Sequence, residues 1–275
     1  AIDVTTKLAI AASLEALRDA GIPLVRRFRD TASGKKVPAG WGLPDGLRDT
    51  TGIIFASAFP GYSNLLDHIA ANGDDGEGRF DRRFLFQVLS MGHSQLAQFI
   101  GARGPNTQVN AACASSTQAI CMASDWIQAG RCERVIVVGA DDVTNDQMME
   151  WIGAGFLVTG AATTAREVED GALPFDKRRN GMIIGMGAVG VVVERADSAK
   201  ARGVTPLARL LATRMANSAF HGSRLDRDHI AAQVDAFVGD ATREAGVDRA
   251  AFARKALFMS HETYTPARGG SAAAE

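Results

Sequence analysis

Short apolar segments alternate with amphipathic segments along the chain. Residues 52–57 and 134–139 are apolar and predict buried parallel strands, and residues 107–111 predict a further strand. Helical spacing of apolar positions predicts helices at residues 5–20 (capped by Thr5 or Thr6), 84–100, 114–128 and 228–245. Three more runs are strand-like: residues 182–194, 207–213 and 256–260. The alternation of strands with helices predicts an α/β fold with a mostly parallel sheet.

Composition and charge narrow the class of protein. The chain has 275 residues, of which 46% are hydrophobic, so it is long enough for one large α/β domain or two small ones. Its 30 basic and 31 acidic residues give a net charge of -1, which offers no electrostatic reason to expect nucleic acid or an anionic membrane as a partner. No apolar run approaches the ~20 residues that a membrane-spanning helix needs. We therefore expect neither nucleic acid nor a membrane among its partners.

The three cysteines are Cys113, Cys121 and Cys132. They are too few for a disulfide framework, and their spacing fits no zinc site. We therefore expect no metal and a reducing, cytoplasmic setting. Cys121 and Cys132 fall within or just after the helix that follows Cys113, and we interpret both as packing residues.

Cys113 falls where a predicted strand turns into a predicted helix, among small alanines and serines. A thiol at the start of a helix lies near the positive end of the helix dipole and near unpaired backbone N–H groups, which favour the thiolate and can hold an oxyanion. Small neighbours leave room for a long substrate arm. From this setting alone, a packed hydrophobic cysteine and a nucleophile are both open interpretations.

The spacing of three glycines matches the fingerprint of dinucleotide-binding proteins. Gly185, Gly187 and Gly190 have the spacing G-x-G-x-x-G, but that motif binds a pyrophosphate only when its last glycine opens a helix. Here Val191–Glu194 follows, which predicts a strand. We therefore expect the glycines to permit close strand packing, and we expect no nicotinamide cofactor.

An acidic group lies after the strand at residues 134–139. Its members lack the spacing and the glycine of a calcium loop, so we expect a solvated, helix-capping cluster: Asp141, Asp142, Asp146 and Glu150.

Five motifs occur in the order that β-ketoacyl synthases have. They are 104–107 with 112–116 (G-P-N-T, A-C-A-S-S), 174–181 (P-F-D-K-R-R-N-G), 185–190 (G-M-G-A-V-G), 217–221 (N-S-A-F-H) and 261–265 (H-E-T-Y-T). The chain therefore resembles the β-ketoacyl synthase family of thiolase-fold condensing enzymes, including ketosynthase domains of polyketide or polyunsaturated-fatty-acid synthases. It departs from the family pattern at Met186, where glutamate is usual, and in the last motif, where both glycines are replaced.

The resemblance implies a thiolase-like layered α/β/α architecture and an acyltransferase activity. Cys113 would take an acyl group from a carrier thioester, and a malonyl-type thioester would lose CO₂ and attack it, a decarboxylative Claisen condensation of fatty acid or polyketide synthesis. His261, which follows the predicted strand 256–260, matches a catalytic histidine. Thr263 and Thr265 match positions that bind the pantetheine arm. His221 matches a histidine near the substrate entrance, where a structural role is an equal alternative.

The resemblance also implies partners and extent. The partners would be an acyl carrier protein with phosphopantetheine-bound acyl and malonyl groups, and a second copy in a homodimer. The basic segment 26–36 is either a solvated loop or a contact for such an acidic carrier. His68, His93 and His229 match no catalytic position, and we interpret them as structural.

We expect residues 1–275 to be the nucleophile-bearing, N-terminal portion of the domain, without its first strand and its C-terminal part. The rival functions are a thiolase-like, CoA-dependent condensing enzyme, which would lack the motifs at 174–181 and 261–265, and a non-catalytic ketosynthase-like subunit, which commonly lacks the cysteine.

Overall fold

The computed structural model describes residues 2–72, 91–171, 173–220, 225–261 and 265. The chain divides into two units, each made of two segments. The first comprises Ala1–Gln147 and Met186–Leu207, and the second comprises Met148–Gly185 and Ala208–Glu275.

The first unit contains a four-stranded sheet, a separate hairpin and the helices around them. In chain order its elements are α1 (Val4–Asp19), β1 (Val25–Asp30), β2 (Lys36–Gly42), α2 (Asp45–Arg48), β3 (Thr51–Ala56), α3 (Tyr62–Asn72), α4 (Gly92–Ile100), β4 (Asn106–Val109), α5 (Ser115–Gln128), β5 (Arg134–Asp142), β6 (Met186–Glu194) and α9 (Ala196–Ala201). The sheet order is β4-β3-β5-β6. β3 is parallel to both of its neighbours, and β6 is antiparallel to β5. The mostly parallel α/β sheet predicted from the pattern is confirmed.

Helices cover both faces of this sheet, which gives a layered α/β/α unit. All six residues of β3 are buried, and they alternate between two apolar clusters. Ile53 and Phe55 pack in one cluster with residues of α1 and α4. Ile54 and Ala56 pack in the other with residues of α5. A strand buried on both faces reads as a continuous apolar run, which is why the run at 52–57 was visible in the sequence.

The predicted basic loop is instead a β-hairpin. β1 and β2 pair antiparallel, with an irregularity in register between Arg27 and Phe28. The Arg27 side chain packs against Gly42 and Gly101, whereas the Arg26 guanidinium lies outside, 5.9 Å from the centroid of the Phe28 ring. Cross-strand pairing decides this conformation, and pairing between segments is not encoded in the charge pattern that suggested a loop.

The antiparallel strand β6 contains Gly187 and Gly190 of the glycine motif, and it confirms the strand predicted at Val191–Glu194. α1 packs across β6 at Gly190, where an added Cβ would lie 2.6 Å from the carbonyl oxygen of Ala12. At Gly185 and Gly187 an added Cβ would meet nothing within 4 Å. Close packing is therefore the role of Gly190 alone among the three.

The second unit contains, among its described residues, short helices and one long one. They are the end of α6 (Asp146–Met148), a π-helical turn (Met149–Gly153), α7 (Ala154–Val158), α8 (Val168–Gly171), α10 (Arg227–Ala245) and α11 (Arg249–Ala253). The predicted strands at 207–213 and 256–260 are wrong, because both segments are irregular. Leu207 is 99% and Leu257 85% exposed. An apolar run becomes a strand only where another strand pairs with it, and these two runs have no such partner in the described chain.

Helix starts follow capping chemistry. α1 is capped by Asp3, whose carboxylate accepts from the Thr6 N–H at 2.9 Å, so the predicted Thr5 or Thr6 cap is wrong by two or three residues. α10 is capped in the same way by Asp226. A side-chain oxygen at this position satisfies an otherwise unpaired N–H group. No helix within the described ranges is long and apolar enough to cross a membrane.

A buried ion network joins β5, β6 and the end of α1. The Glu194 carboxylate accepts from Arg134 at 2.8 Å and from Arg202 at 2.7 Å, and the side chains of Arg134 and Glu194 are 2% and 8% exposed. Arg202 also donates to the carbonyl oxygen of Ala20 at 2.9 Å. Burial alone would raise the pKa of Glu194, but hydrogen bonds and charge from the two arginines outweigh it and hold that pKa below its ordinary value.

We expect Gly190→Ala to destabilise the protein and Gly187→Ala to be nearly neutral, because only the first Cβ meets the Ala12 carbonyl. Overpacking of this kind costs typically about 1–3 kcal/mol. Thermal or urea unfolding of the two variants measures the difference. Equal stability of both variants would show that α1 does not rely on close contact with β6.

We expect Glu194→Gln to lower the free energy of unfolding at pH 7 by about 3 kcal/mol, since it removes the carboxylate shared by the buried Arg134 and the partly buried Arg202 and leaves Arg134 with Glu133 alone. A carboxylate with a lowered pKa stabilises the fold above its unfolded-state pKa, and that contribution disappears as pH falls through the folded-state pKa. The variant should therefore lose stability less steeply than the wild type below about pH 4.5, near the unfolded-state pKa of a glutamate.

The matched control is Glu15→Gln, which breaks an exposed pair with Arg18 and should cost about 0.5 kcal/mol or less. Urea titrations at several pH values compare the two variants. Similar losses for both would contradict the importance of the network.

Candidate functional site

Cys113 lies in the turn between β4 and α5, at the carboxyl end of the parallel strands. Its side chain is exposed, and it opens onto a cavity of about 460 Å³. The walls are mostly apolar or small and come from the ends of β3, β5 and β6 and the start of α5: Ala56, Ser116, Ile120, Val137, Gly139, Ala140, Asp141, Gly187, Ala188, Val189 and Val191. The strand–turn–helix placement of Cys113 is as the sequence predicted. A thiol in this position is accessible to a substrate that enters the cavity.

The residue before the cysteine has a strained backbone. Ala112 has φ +49°, a left-handed conformation that costs a non-glycine residue about 1–3 kcal/mol. Its N–H donates to Asn110 Oδ1 at 3.1 Å, and its carbonyl oxygen accepts from Ser115 Oγ at 2.6 Å. Ser115 Oγ also accepts from the Ala111 N–H at 2.8 Å. These bonds hold the turn in the strained conformation.

Two N–H groups at the start of α5 are already engaged. Ala114 N–H donates to the Ala111 carbonyl oxygen at 3.0 Å, and Ser115 N–H donates to the Ala112 carbonyl oxygen at 3.1 Å. The expectation that N–H groups at this helix start hold an oxyanion is therefore wrong for these two residues. They close the turn instead.

Asp141 ties the end of β5 to the chain that leaves β3. Its carboxylate accepts from Ser57 Oγ at 2.8 Å, from Ala58 N–H at 3.0 Å and from Phe59 N–H at 2.9 Å. Its neighbour Asp142 is buried and accepts from Thr144 N–H at 2.9 Å. The prediction of a solvated, helix-capping cluster is thus wrong for both residues, which bind backbone N–H groups of loops.

The other two cysteines are packing residues, as predicted. Cys121 is 3% and Cys132 is 5% exposed. Burial raises the pKa of the Cys132 thiol, and the Arg134 charge and a hydrogen bond with the Gly52 backbone offset this only in part. Neither thiol is poised to react with an external electrophile.

The motif at 174–181 forms a turn in the second unit. Hydrogen bonds from the side chain and the backbone of Arg178 lower the pKa of Asp176 to about 2. Gly181 has φ +129°, and an added Cβ there would lie 2.4 Å from the carbonyl carbon of Ala162. The backbone at Gly181 therefore adopts a conformation, and approaches Ala162 to a distance, that a larger residue at this position would not permit.

The remaining predicted site residues belong to the second unit or lie outside the described residues. His261 is exposed and follows an irregular segment, so its predicted position at the end of a strand is wrong. Thr265 is buried, with 6% of its surface exposed. His221 and Thr263 lie outside the described residues. Cys113 thus stands in the first unit, and His261 and Thr265 in the second.

Three histidines interpreted as structural lie on helices. His68 is in α3, His93 in α4 and His229 in α10, and each is partly buried. Burial lowers the pKa of His93, and a hydrogen bond with Gln108, which raises it, offsets this only in part. None of the three lines the Cys113 cavity.

The family model that describes the β-ketoacyl synthase N-terminal domain matches residues 1–199 of this chain. Two curated relatives are named 3-oxoacyl-[acyl-carrier-protein] synthase 2. The one from Staphylococcus aureus (strain N315) is 26% identical over 269 residues, which cover 96% of this chain and 58% of the relative. The one from Vibrio harveyi is 27% identical over 221 residues, 80% of this chain and 48% of the relative. The chain therefore spans 58% or less of the length of these relatives.

Solved structures show the same fold. A ketosynthase bound to a hexaketide, in complex with its type II PKS acyl-carrier protein, has a TM-score of 0.76 at 18% identity and covers 98% of this chain and 61% of that one. The ishigamide ketosynthase/chain length factor has a TM-score of 0.73 at 25% identity, with 97% and 58% covered. The predicted thiolase-like fold is confirmed by these similarities.

We expect Cys113 to be alkylated by iodoacetamide far faster than the other two cysteines, because it alone of the three is exposed. Peptide mass spectrometry of the folded protein measures the adducts. Cys113→Ser should remove the fast reaction and leave the slow ones unchanged. Preferential labelling of Cys121 or Cys132 would contradict the assignment of Cys113 as the reactive thiol.

Proposed function

The chain belongs to the β-ketoacyl synthase family, and from that membership we propose that it carries the acyl-accepting thiol of a decarboxylative Claisen condensation on carrier-bound thioesters. The observation that supports this most directly is the exposed Cys113 thiol, held at a strained strand-to-helix turn beside an open cavity. On this proposal residues 1–275 are the nucleophile-bearing portion of a thiolase-fold domain, and the reaction serves fatty acid or polyketide synthesis.

The reaction has two halves. The Cys113 thiolate attacks the carbonyl carbon of an acyl thioester, the acyl–sulfur bond to the carrier breaks, and the carrier sulfur leaves as a thiolate that takes a proton from solvent. A malonyl-type thioester then loses CO₂, and the resulting enolate carbon attacks the acyl-Cys carbonyl. The new carbon–carbon bond forms as the Cys113 sulfur departs as thiolate, which restores the enzyme.

His261 is proposed to assist the second half. Enolate formation places negative charge on the malonyl carbonyl oxygen, and an imidazole N–H that donates to this oxygen acts mainly in that transition state. Thr263 and Thr265 are proposed to bind the pantetheine arm, and His221 to lie near the substrate entrance. Motif resemblance supports these four roles.

The partners follow from the substrates. We propose an acyl carrier protein that delivers phosphopantetheine-bound acyl and malonyl groups, as the solved relative in complex with its acyl-carrier protein suggests. We also propose a homodimer, because β4 pairs with β3 on one side and has no strand on the other among the described strands. An edge strand offers unpaired backbone groups that a second copy can pair with. The three free cysteines fit a reducing, cytoplasmic setting.

The rival of a non-catalytic subunit is less well supported. Such a subunit needs no nucleophile, whereas here Cys113 is present and accessible, and hydrogen bonds hold the preceding residue, Ala112, in a costly backbone conformation. Strained conformations of this kind cluster at functional sites.

The proposed function can be tested by an acylation and condensation assay on the full-length natural protein. Incubation with an acyl carrier thioester should add the acyl mass to Cys113, seen by intact mass spectrometry, and malonyl carrier should then release CO₂ and give the condensed product. His261→Ala should retain most acyl-Cys formation yet lose condensation by roughly a hundredfold or more, the scale for removal of one such donor.

Cys113→Ala is the control and should show no acyl adduct. A wild-type protein that acquires no acyl group on Cys113 would refute the proposed function. If His261→Ala loses acylation while decarboxylation persists, His261 instead activates Cys113, and the two roles must be exchanged.

A further inference from the structure

The backbone conformation of Ala112 sets the direction in which the Cys113 side chain points. Ala112 has a left-handed φ of +49°, which alanine adopts only when its surroundings impose it. Rotation of this residue back to an ordinary conformation would swing Cys113, the next residue, away from its present direction. Whatever holds Ala112 therefore decides where the thiol points.

Asn110 contacts the strained residue and a second chain segment together. Its Oδ1 accepts from the Ala112 N–H at 3.1 Å, the geometry of an Asx turn. Its Nδ2 donates to the Ala58 carbonyl oxygen at 3.0 Å. One planar amide thus joins the nucleophile turn to the loop that follows β3.

That loop is itself anchored to the sheet. The Ala58 N–H donates to the Asp141 carboxylate at the end of β5 at 3.0 Å, and Asp141 is also held by Ser57 Oγ at 2.8 Å. The hydrogen bonds therefore run from β5 through Asp141, Ala58 and Asn110 to Ala112. Ser115 completes the support from the side of α5 through its bond to the Ala112 carbonyl oxygen.

We propose that Asn110 is a positioning residue for the nucleophile, which holds the Ala112 peptide in its strained conformation and so directs the Cys113 thiol toward the cavity. This proposal rests on the proposed function of Cys113 as the acyl acceptor. Asn110 is exposed and contributes nothing to either apolar cluster, so its replacement leaves the core intact.

Two measurements on Asn110→Ala test the proposal. Hydrogen exchange at the Ala112 amide, followed on a peptide that spans the turn, should accelerate about tenfold or more as its acceptor is lost. Acyl transfer from a carrier thioester to Cys113 should slow by about 10- to 100-fold, since attack geometry tolerates little displacement. Alkylation by iodoacetamide, which needs only an accessible thiol, should stay within about threefold of wild type.

Asn110→Ser is the rescue variant, because a serine hydroxyl can accept from the N–H two residues on. It should restore slow exchange and most of the acyl transfer. The matched control is Gln128→Ala, which removes an exposed side-chain hydrogen bond, 3.0 Å to Ser124 Oγ, at the carboxyl end of α5, and should change none of the three rates.

The results distinguish a failure of the positioning role of Asn110 from a failure of the proposed function of Cys113. Unchanged exchange in Asn110→Ala shows that Asn110 does not hold the turn, and unchanged acyl transfer shows that it does not position the thiol; either result overturns the proposal. Equal slowing of acyl transfer and alkylation would indicate general loosening and would also overturn it. A wild-type protein that is never acylated counts against the proposed function, while the exchange rates still decide whether Asn110 holds the turn.

Discussion

The burial of β3 on both of its faces is the constraint on which the first unit depends. Six consecutive buried residues require strands on both sides and helices above and below, since no backbone group of a buried strand can remain unpaired. β4 and β5 satisfy its hydrogen bonds as parallel neighbours. Because parallel strands end at the same edge, the turn with Cys113 and the Asp141 carboxylate are brought to one place.

The two ends of the sheet are stabilised by different chemistry. Where β5 begins and β6 ends, the charge network of Arg134, Glu194 and Arg202 is largely withdrawn from solvent. At the opposite end a single carboxylate, that of Asp141, binds backbone N–H groups of the loop after β3. The first network ties strands and a helix end together, and the second orients a loop. A reactive group belongs at the second end, where loops meet over a rigid sheet.

The difference among the three cysteines follows from the same architecture. Cys121 lies in α5 and Cys132 in the segment between α5 and β5, and both are buried. Cys113 precedes α5 by two residues, in a turn whose side chains are small, and remains exposed. Burial, and not only the sequence neighbours of each thiol, therefore determines which of the three cysteines can react.

The local hydrophobic pattern and the order of the motifs were enough to predict β3, β5, α5, the turn at Cys113 and the family. Apolar periodicity and motif sequence are properties of neighbouring residues, so they can be read without the fold. The hairpin at 25–42, the irregular runs at 207–213 and 256–260, and the partners of Asp141 were decided by the tertiary structure. The sequence placed Asn110 in the predicted strand at 107–111 and indicated no role for it, apart from its position next to the nucleophile motif. Its significance depends on Ala58, 52 residues away in the chain. Strand pairing and hydrogen bonding between distant segments depend on which partner the fold brings near, and no local pattern encodes that partner.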